Sequence, residues 1–285
     1  MEDTIQNYLQ EKTGEDLRNE DLRRLQGFRL LDDTFARSYF RQHPELAEFV
    51  LRIITQFDDL EIDRSNYETQ YDAKRLMGSR SLVLDVYAGD QAGRRYNFEV
   101  ENWNAEPERG EVHAATMVAE NLLANNRFSD LPEIYVIFLT SGDSIGNGRA
   151  LNQFTFRNDD KNVTEEIEEP HASMKGKLHI IYVNGDYKEE DSDIGKLIHD
   201  FKCTDADDMF FANLAERTRY LKENPKGVEE MCKVMDDMRK ENFKSKAIEI
   251  ARKMIKRGKN TNEEIAEDTG LTLEEVTALA GQAAS

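Results

Sequence analysis

Residues 81–102 read SLVLDVYA, GDQAGRR, YNFEVEN. Two β-prone runs flank a glycine-containing turn, which predicts a β-hairpin. Side chains alternate across a strand. On the first strand Leu82, Leu84 and Val86 share one face, and Val83, Asp85 and Tyr87 the other. On the second, Tyr96, Phe98 and Val100 oppose Asn97, Glu99 and Glu101. If the apolar faces coincide, Asp85, Glu99 and Glu101 converge. Like charges facing one another across strands are unfavourable. Water, a basic neighbour or a bound cation must offset the repulsion.

Outward from the hairpin, the apolar residues of 28–57 recur at spacings of three and four, which predicts helices with one buried face. His43-Pro44-Glu45 divides them, and a proline suits a first helical turn. Tyr67, Thr69 and Tyr71 alternate like an edge strand. Residues 108–126 form an amphipathic helix. The run IYVIFLT within 133–140 suits a central strand covered on both faces. SGDSIGNGR (141–149) is a loop by composition. Strands are expected over 152–157 and 177–184, and helices over 194–201, 209–221 and 228–254. Helices, a β-rich centre interrupted by one helix, then more helices give an α/β domain with helical additions.

The chain has 285 residues, 39% hydrophobic and 33% charged, with a formal net charge of −19. This composition describes a globular protein with a heavily charged surface. The negative charge opposes indiscriminate adhesion to nucleic acid and leaves room for a local basic groove. Cys203 and Cys232 form no CxxC pair, and the five histidines show no HExxH-like spacing. That argues against a structural zinc site and against a disulfide-stapled domain. The polar, acidic N-terminus carries no apolar signal region, and no apolar run approaches the ~20 residues of a membrane span. A cytoplasmic location with no membrane partner is the expectation.

Three carboxylates on adjacent strands suit a hard divalent cation such as Mg²⁺ or Mn²⁺, which prefers oxygen ligands and binds phosphate oxygens. A solvated acidic hairpin face is the competing reading. Asp85 weighs against it, because aspartate is disfavoured in strands and this one lies between Val83 and Tyr87.

LVLDVYAGDQAGRRYNFEVEN resembles the core of the PD-(D/E)xK nuclease superfamily. More closely it resembles the PD-(D/E)xK nuclease family transposases, related to Rpn-type recombination-promoting nucleases. The resemblance takes in LLDDTFARSYF, ERGEVHAATMVAENLL, LPEIYVIFLTSGD and the stretch from HIIYVNGDYKEEDSDIGKL to NPKGVEEMC, about residues 28–240. It implies a restriction-endonuclease-like core, a mixed central sheet flanked by helices, and Mg²⁺-dependent (or Mn²⁺-dependent) hydrolysis of DNA. Asp85 falls on the family's metal-binding aspartate and Glu99 on the acid of its E-x-K or E-x-Q motif. Glu101 falls where lysine or glutamine is expected. It brings a third negative charge, so it is an extra ligand, a base, or the mark of an impaired site.

Asp33, with Asp32 beside it, is the candidate additional acid; either equally suits a helix N-cap. Arg109 matches a basic position of the family, and is read as a phosphate contact or as a solvated helix-start residue. Lys74, Arg75, Arg80, Arg94 and Arg95 either contact a DNA backbone or offset nearby acids. Trp103 either stacks on a base or packs at the sheet edge, and packing is the expectation.

In the tail, Thr261, Gly270 and Thr272-x-x-Glu275 mark two short helices in helix-turn-helix order. Residues 258–285 hold one lysine against six acids, so a structural or dimer-forming helical hairpin is expected rather than a groove reader. The basic stretch 244–259 is read as a solvated face, or as a contact for DNA or an acidic subunit. The domain reading is a polar N-terminal helix or arm (1–27), a nuclease-like domain (28–240) and a helical tail (241–285). Function reads as a metal-dependent DNA endonuclease of the transposase type. The alternative is a catalytically impaired nuclease-fold protein acting as a DNA-binding or protein-interaction module, and a homodimer through the tail fits either.

Overall fold

The computed structural model describes residues 14–73, 82–103, 105–122, 127–155 and 176–283. They fall into two units, Met1–Val228 and Glu229–Ser285. The first unit begins with α1 (Gly14–Gly27), α2 (Asp33–Phe40) and α3 (Pro44–Thr55). Pro44 occupies the first turn of α3 as its fixed φ favours, and Gln56 closes it in the left-handed region at φ 59°. Leu25 of α1 is fully buried, so that helix is docked by an apolar contact.

There follow β1 (Ile62–Ala73), β2 (Leu82–Asp90), β3 (Arg95–Glu101), α4 (Pro107–Asn121), β4 (Ile134–Thr140), β5 (Leu151–Thr155), β6 (Leu178–Val183), α5 (Asp193–Lys202) and α6 (Ala212–Glu223). The strands form one open sheet of six in the order β1-β2-β3-β4-β6-β5. β1, β2 and β3 are antiparallel neighbours, β3–β4 and β4–β6 are parallel, and β5 returns antiparallel to β6. The sheet is mixed, and helices flank it. The parallel step from β3 to β4 uses α4 as its crossover, because parallel neighbours cannot be joined by a tight turn. β1 is an edge strand, as its alternation predicts.

Every residue of β4 is buried, which fits a central strand covered on both faces. On one face Leu84, Ala114, Met117, Ile134, Val136, Phe138 and Tyr182 pack together. On the other, Phe40 of α2, Phe98 of β3 and Phe201 of α5 meet with centroids 5.7–6.4 Å apart. The first half of β6 is only half-buried.

α7 (Pro225–Arg257) carries the chain into the second unit, which continues with α8 (Asn262–Thr269) and α9 (Leu273–Ala283). Ala251, Ile265, Leu271 and Val276 form its core. Thr261 and Glu264 make a reciprocal capping box. Glu275 N–H donates to Thr272 Oγ1 at 3.2 Å, and Thr272 N–H to Glu275 Oε2 at 2.9 Å. Gly270, at φ 72°, turns between the two helices as the left-handed region requires. Among the described residues no helix is long and apolar enough to cross a membrane.

Candidate active site

The hairpin ladder runs from Gly89↔Arg95 to Val86↔Phe98 and stops. β2 nevertheless extends back to Leu82 and β3 forward to Glu101, and β3 stays zipped to β4 as far as Glu101↔Thr140. The two strands therefore part at Asp85 and Glu99. A buried backbone donor needs a partner, and the acids supply one. Val100 N–H donates to Asp85 Oδ2 at 3.3 Å, and Asp85 N–H donates to Glu99 Oε1 at 3.1 Å. The acids thus occupy the fork of the hairpin, at the carboxyl ends of the parallel strands β3 and β4, where open α/β sheets bind ligands.

Strict alternation fails here. Leu84 belongs to the cluster containing Met117 and Phe138, and both Leu82 and Tyr87 pack against that same cluster. Leu84 and Tyr87 therefore share a face, contrary to the sequence expectation, and the break falls at Asp85. Gln70 of β1 lies across from it, between the pairs Thr69↔Val86 and Tyr71↔Leu84. Its φ is 58°, a conformation that costs a non-glycine residue ~1–2 kcal/mol. Its Nε2 donates to Asp85 Oδ1 at 3.0 Å.

Burial dominates the electrostatics. Glu99 and Glu101 are 3% and 5% exposed. Desolvation first, then the charges of Glu99 and Asp33, push Asp85 up to about 7. Burial raises Glu99 to about 7 against the pull of Asp85 N–H, Arg109 and Asn97. Burial likewise raises Glu101 to about 7, with Arg109 opposing and Glu99 and Asp85 adding to it. All three acids titrate near neutrality because burial disfavours their charged forms.

α4 supplies the basic partners. Arg109 Nη1 lies 2.6 Å from Glu101 Oε1, and its guanidinium stands over the Phe138 ring at 5.9 Å. One turn later His113, 1% exposed, places Nδ1 at 2.9 Å from Asn97 Nδ2 and 3.5 Å from Glu99 Oε1. Residues four apart share a helix face, so that face was open to a sequence reading that stopped at Arg109. Gly110 lets α4 approach β6, since a Cβ there would meet Tyr182 and, at 2.8 Å, Ile180. Tyr182 Oη donates to Pro107 O at 2.7 Å, fixing the start of the helix.

Asp33 is near enough to raise both Asp85 and Glu99. Its carboxylate pairs with Arg37 at 2.9 Å on a half-exposed surface. Asp32 holds the N-cap position of α2 without a side-chain cap bond. It accepts instead from Arg29 N–H at 2.8 Å and from Asn102 Nδ2 at 2.8 Å, tying the end of β3 to the start of α2. Lys74, Arg75 and Arg80 lie outside the described residues. Arg94 is committed to Asp90 at 2.5 Å and Asp59 at 3.0 Å, and Arg95 donates to Asn121 at 3.2 Å. Both serve the closed end of the hairpin, so Arg94 offsets acids. Trp103, expected to pack at the sheet edge, is 59% exposed.

The expected three-acid convergence is not complete. Among the described residues, one group of three His, Cys, Asp or Glu side chains brings its ligand atoms all within 4.8 Å of one another and could hold a metal ion. It is His199, Asp200 and Cys203, not the hairpin acids. Glu101 turns to Arg109, which leaves Asp85 and Glu99 as the pair linked across the fork. No family model, no curated protein and no solved structure matches the chain.

Proposed function

We propose that the chain is a metal-dependent DNA endonuclease with a restriction-endonuclease-like core of the PD-(D/E)xK type, related to the recombination-promoting nucleases and transposases. The observation that carries this reading is the fork between β2 and β3, where half-buried Asp85 and buried Glu99 are held together and both raised to about 7. Carboxylates in that state are stabilised in their charged form by a cation, and paired carboxylates are what Mg²⁺ or Mn²⁺ takes. Asp85 and Glu99 would hold the ion. When bound, it supplies positive charge against the scissile phosphate and acidity to the attacking water.

The chain's own residues do the rest. Gln70 and Val100 N–H orient Asp85, and Asp85 N–H and Asn97 orient Glu99. Arg109 points its charge at the same end of β3 and meets a phosphate oxygen. Glu101, raised to about 7, has the affinity for a proton that a general base needs at neutral pH.

One observation favours the second reading, an impaired nuclease fold that binds DNA or protein. Glu101 is already engaged by Arg109 at 2.6 Å, so neither charge is free. Cleavage of supercoiled and linear DNA in Mg²⁺, Mn²⁺ or EDTA decides between the two. The endonuclease reading expects metal-dependent nicking, lost in Asp85→Ala and in Glu99→Ala. Nicking that persists in both variants rejects the site. A wild type that is inert, with cleavage gained in Glu101→Gln or Glu101→Lys, establishes the impaired reading. Calorimetry gives an independent readout, since Mg²⁺ affinity unchanged by Asp85→Ala removes that residue as a ligand.

A further inference from the structure

The histidine and cysteine content showed no repeated ligand pairs, yet HDFKC (199–203) places three ligand types within one helical turn. Residues at i and i+4 share a face, which brings His199 and Cys203 together at the end of α5. Cys203 Sγ lies 3.4 Å from His199 Nδ1, and His199 Nδ1 lies 3.4 Å from Asp200 Oδ1. Ligand distances of ~2.3 Å for sulfur and ~2.0–2.1 Å for nitrogen and oxygen put the edges of a zinc tetrahedron at ~3.3–3.6 Å. Two edges of the triangle already have that length, and all three ligand atoms lie within 4.8 Å.

We propose that His199, Asp200 and Cys203 form a binding site for a borderline-soft divalent ion of the Zn²⁺ class, sharing no residue with the hairpin acids. The donor set selects the ion: thiolate and imidazole favour zinc over magnesium. Asp200 is fully buried, and its two oxygens accept Phe210 N–H at 2.7 Å and Phe211 N–H at 2.9 Å. Each carboxylate oxygen offers two acceptor directions, so a metal bond adds to these contacts rather than replacing them.

The surroundings suit a cation. Cys203 caps the C-terminal end of α5, its N–H bonded to the carbonyls of His199 and Asp200, and a helix C-terminus attracts positive charge. Phe210 stacks edge-on against His199 with centroids 4.7 Å apart, limiting the swing of the imidazole. The ion would sit at the end of α5, where Asp200 already holds the turn leading into α6 through Phe210 and Phe211 N–H. Three protein ligands leave a fourth position for water or a neighbouring acid.

Co²⁺ is the probe, added to chelator-stripped full-length protein in a Cys232→Ser background. A thiolate bond gives a sulfur-to-cobalt charge-transfer band that oxygen ligands cannot produce. The expected result is a band saturating at one ion per chain, bleached by Zn²⁺, abolished by Cys203→Ser and retained in Asp85→Ala. Absence of the band from folded protein overturns the proposal, as does a band that survives Cys203→Ser. Should that variant fail to fold, alkylation of Cys203 in unsubstituted protein is the second measurement. Zn²⁺ is expected to slow it at least tenfold, and an unchanged rate overturns the site.

Discussion

Asp85→Asn is a near-isosteric change that removes one charge from the fork. Burial and neighbouring acids raise the Asp85 carboxyl from 3.8 to about 7. A carboxylate whose folded pKa is raised binds more protons folded than unfolded within that window. Stability is therefore lost as pH climbs from the lower value to the upper, and stays lost above it. At ~1.36 kcal/mol per pKa unit, ionised Asp85 costs the fold ~4 kcal/mol at pH 8 and ~1.5 kcal/mol at pH 5. These are upper bounds, because Asp85 is only half-buried and solvent screens part of the cost. Asparagine keeps one acceptor oxygen, so either Val100 N–H or Gln70 loses its partner, at ~1–2 kcal/mol. That loss does not depend on pH. The expected outcome is a variant nearly equal to wild type at pH 5 and more stable by ~2–3 kcal/mol at pH 8, measured by guanidinium unfolding in EDTA at fixed salt. Mg²⁺ at ~100 times its Kd then stabilises wild type by ~2.7 kcal/mol and the variant by much less. A stability difference that is the same at the two pH values refutes the reasoning about a charge-deficient fork.

Three further outcomes follow from particular contacts. Gly110→Ala forces a methyl group against Tyr182 and Ile180; urea unfolding should show a loss of ~1–3 kcal/mol, and Mg²⁺ affinity by calorimetry should fall because Arg109 and His113 move with the helix. Trp103→Ala should leave unfolding unchanged within ~0.5 kcal/mol, since the side chain is 59% exposed; under the nuclease proposal it weakens single-stranded DNA binding by roughly tenfold, measured by fluorescence anisotropy. Gly270→Ala, at φ 72°, should destabilise the second unit by ~1–2 kcal/mol, seen as faster amide exchange over 261–283.

Local patterns were legible wherever a rule of local chemistry fixes the outcome. The capping residues Thr261 and Thr272, the proline start of α3, and the apolar run of β4 each appear where their spacing puts them. The hairpin did too, because turn residues and alternation agree over 86–98. What escaped depends on residues far apart in sequence. Alternation assigns Asp85 the face of Tyr87, but a left-handed Gln70 on a different strand accompanies a break that returns Leu84 to it. No pattern within 81–102 encodes that. Trp103 was expected to be buried because a large ring gains by burial, yet the chain beyond β3 is held by Asn102 to Asp32, and the ring is left in solvent. His199, Asp200 and Cys203 escaped for the opposite reason. They are adjacent in sequence but lack the repeated pairs by which metal sites are usually recognised.

Glu101 is the position where sequence and geometry bear on each other most directly. On the proposed nuclease reading a lysine or glutamine is expected at 101, and this chain carries a glutamate there. Arg109, from the first turn of α4, sits 2.6 Å from that anion, so the positive charge reaches the end of β3 from a helix rather than from the strand. Once Glu101 is ionised, it and Arg109 sum to zero. The charge left in the fork is that of Asp85 and Glu99, two negative units once both ionise, which matches one divalent ion. Without the ion, both carboxyls titrate near 7, and the protons they keep are those the ion must displace. On the proposed reading, metal binding at pH 7 therefore releases about one proton in total from the pair, and apparent affinity rises with pH until both groups are ionised. Arg109→Gln breaks the balance by leaving Glu101 buried without its partner. Glu101 should then titrate higher, and the pH dependence of metal binding should shift upward with it. Were Arg109 only a solvated residue at the start of a helix, that substitution would leave the dependence where it was.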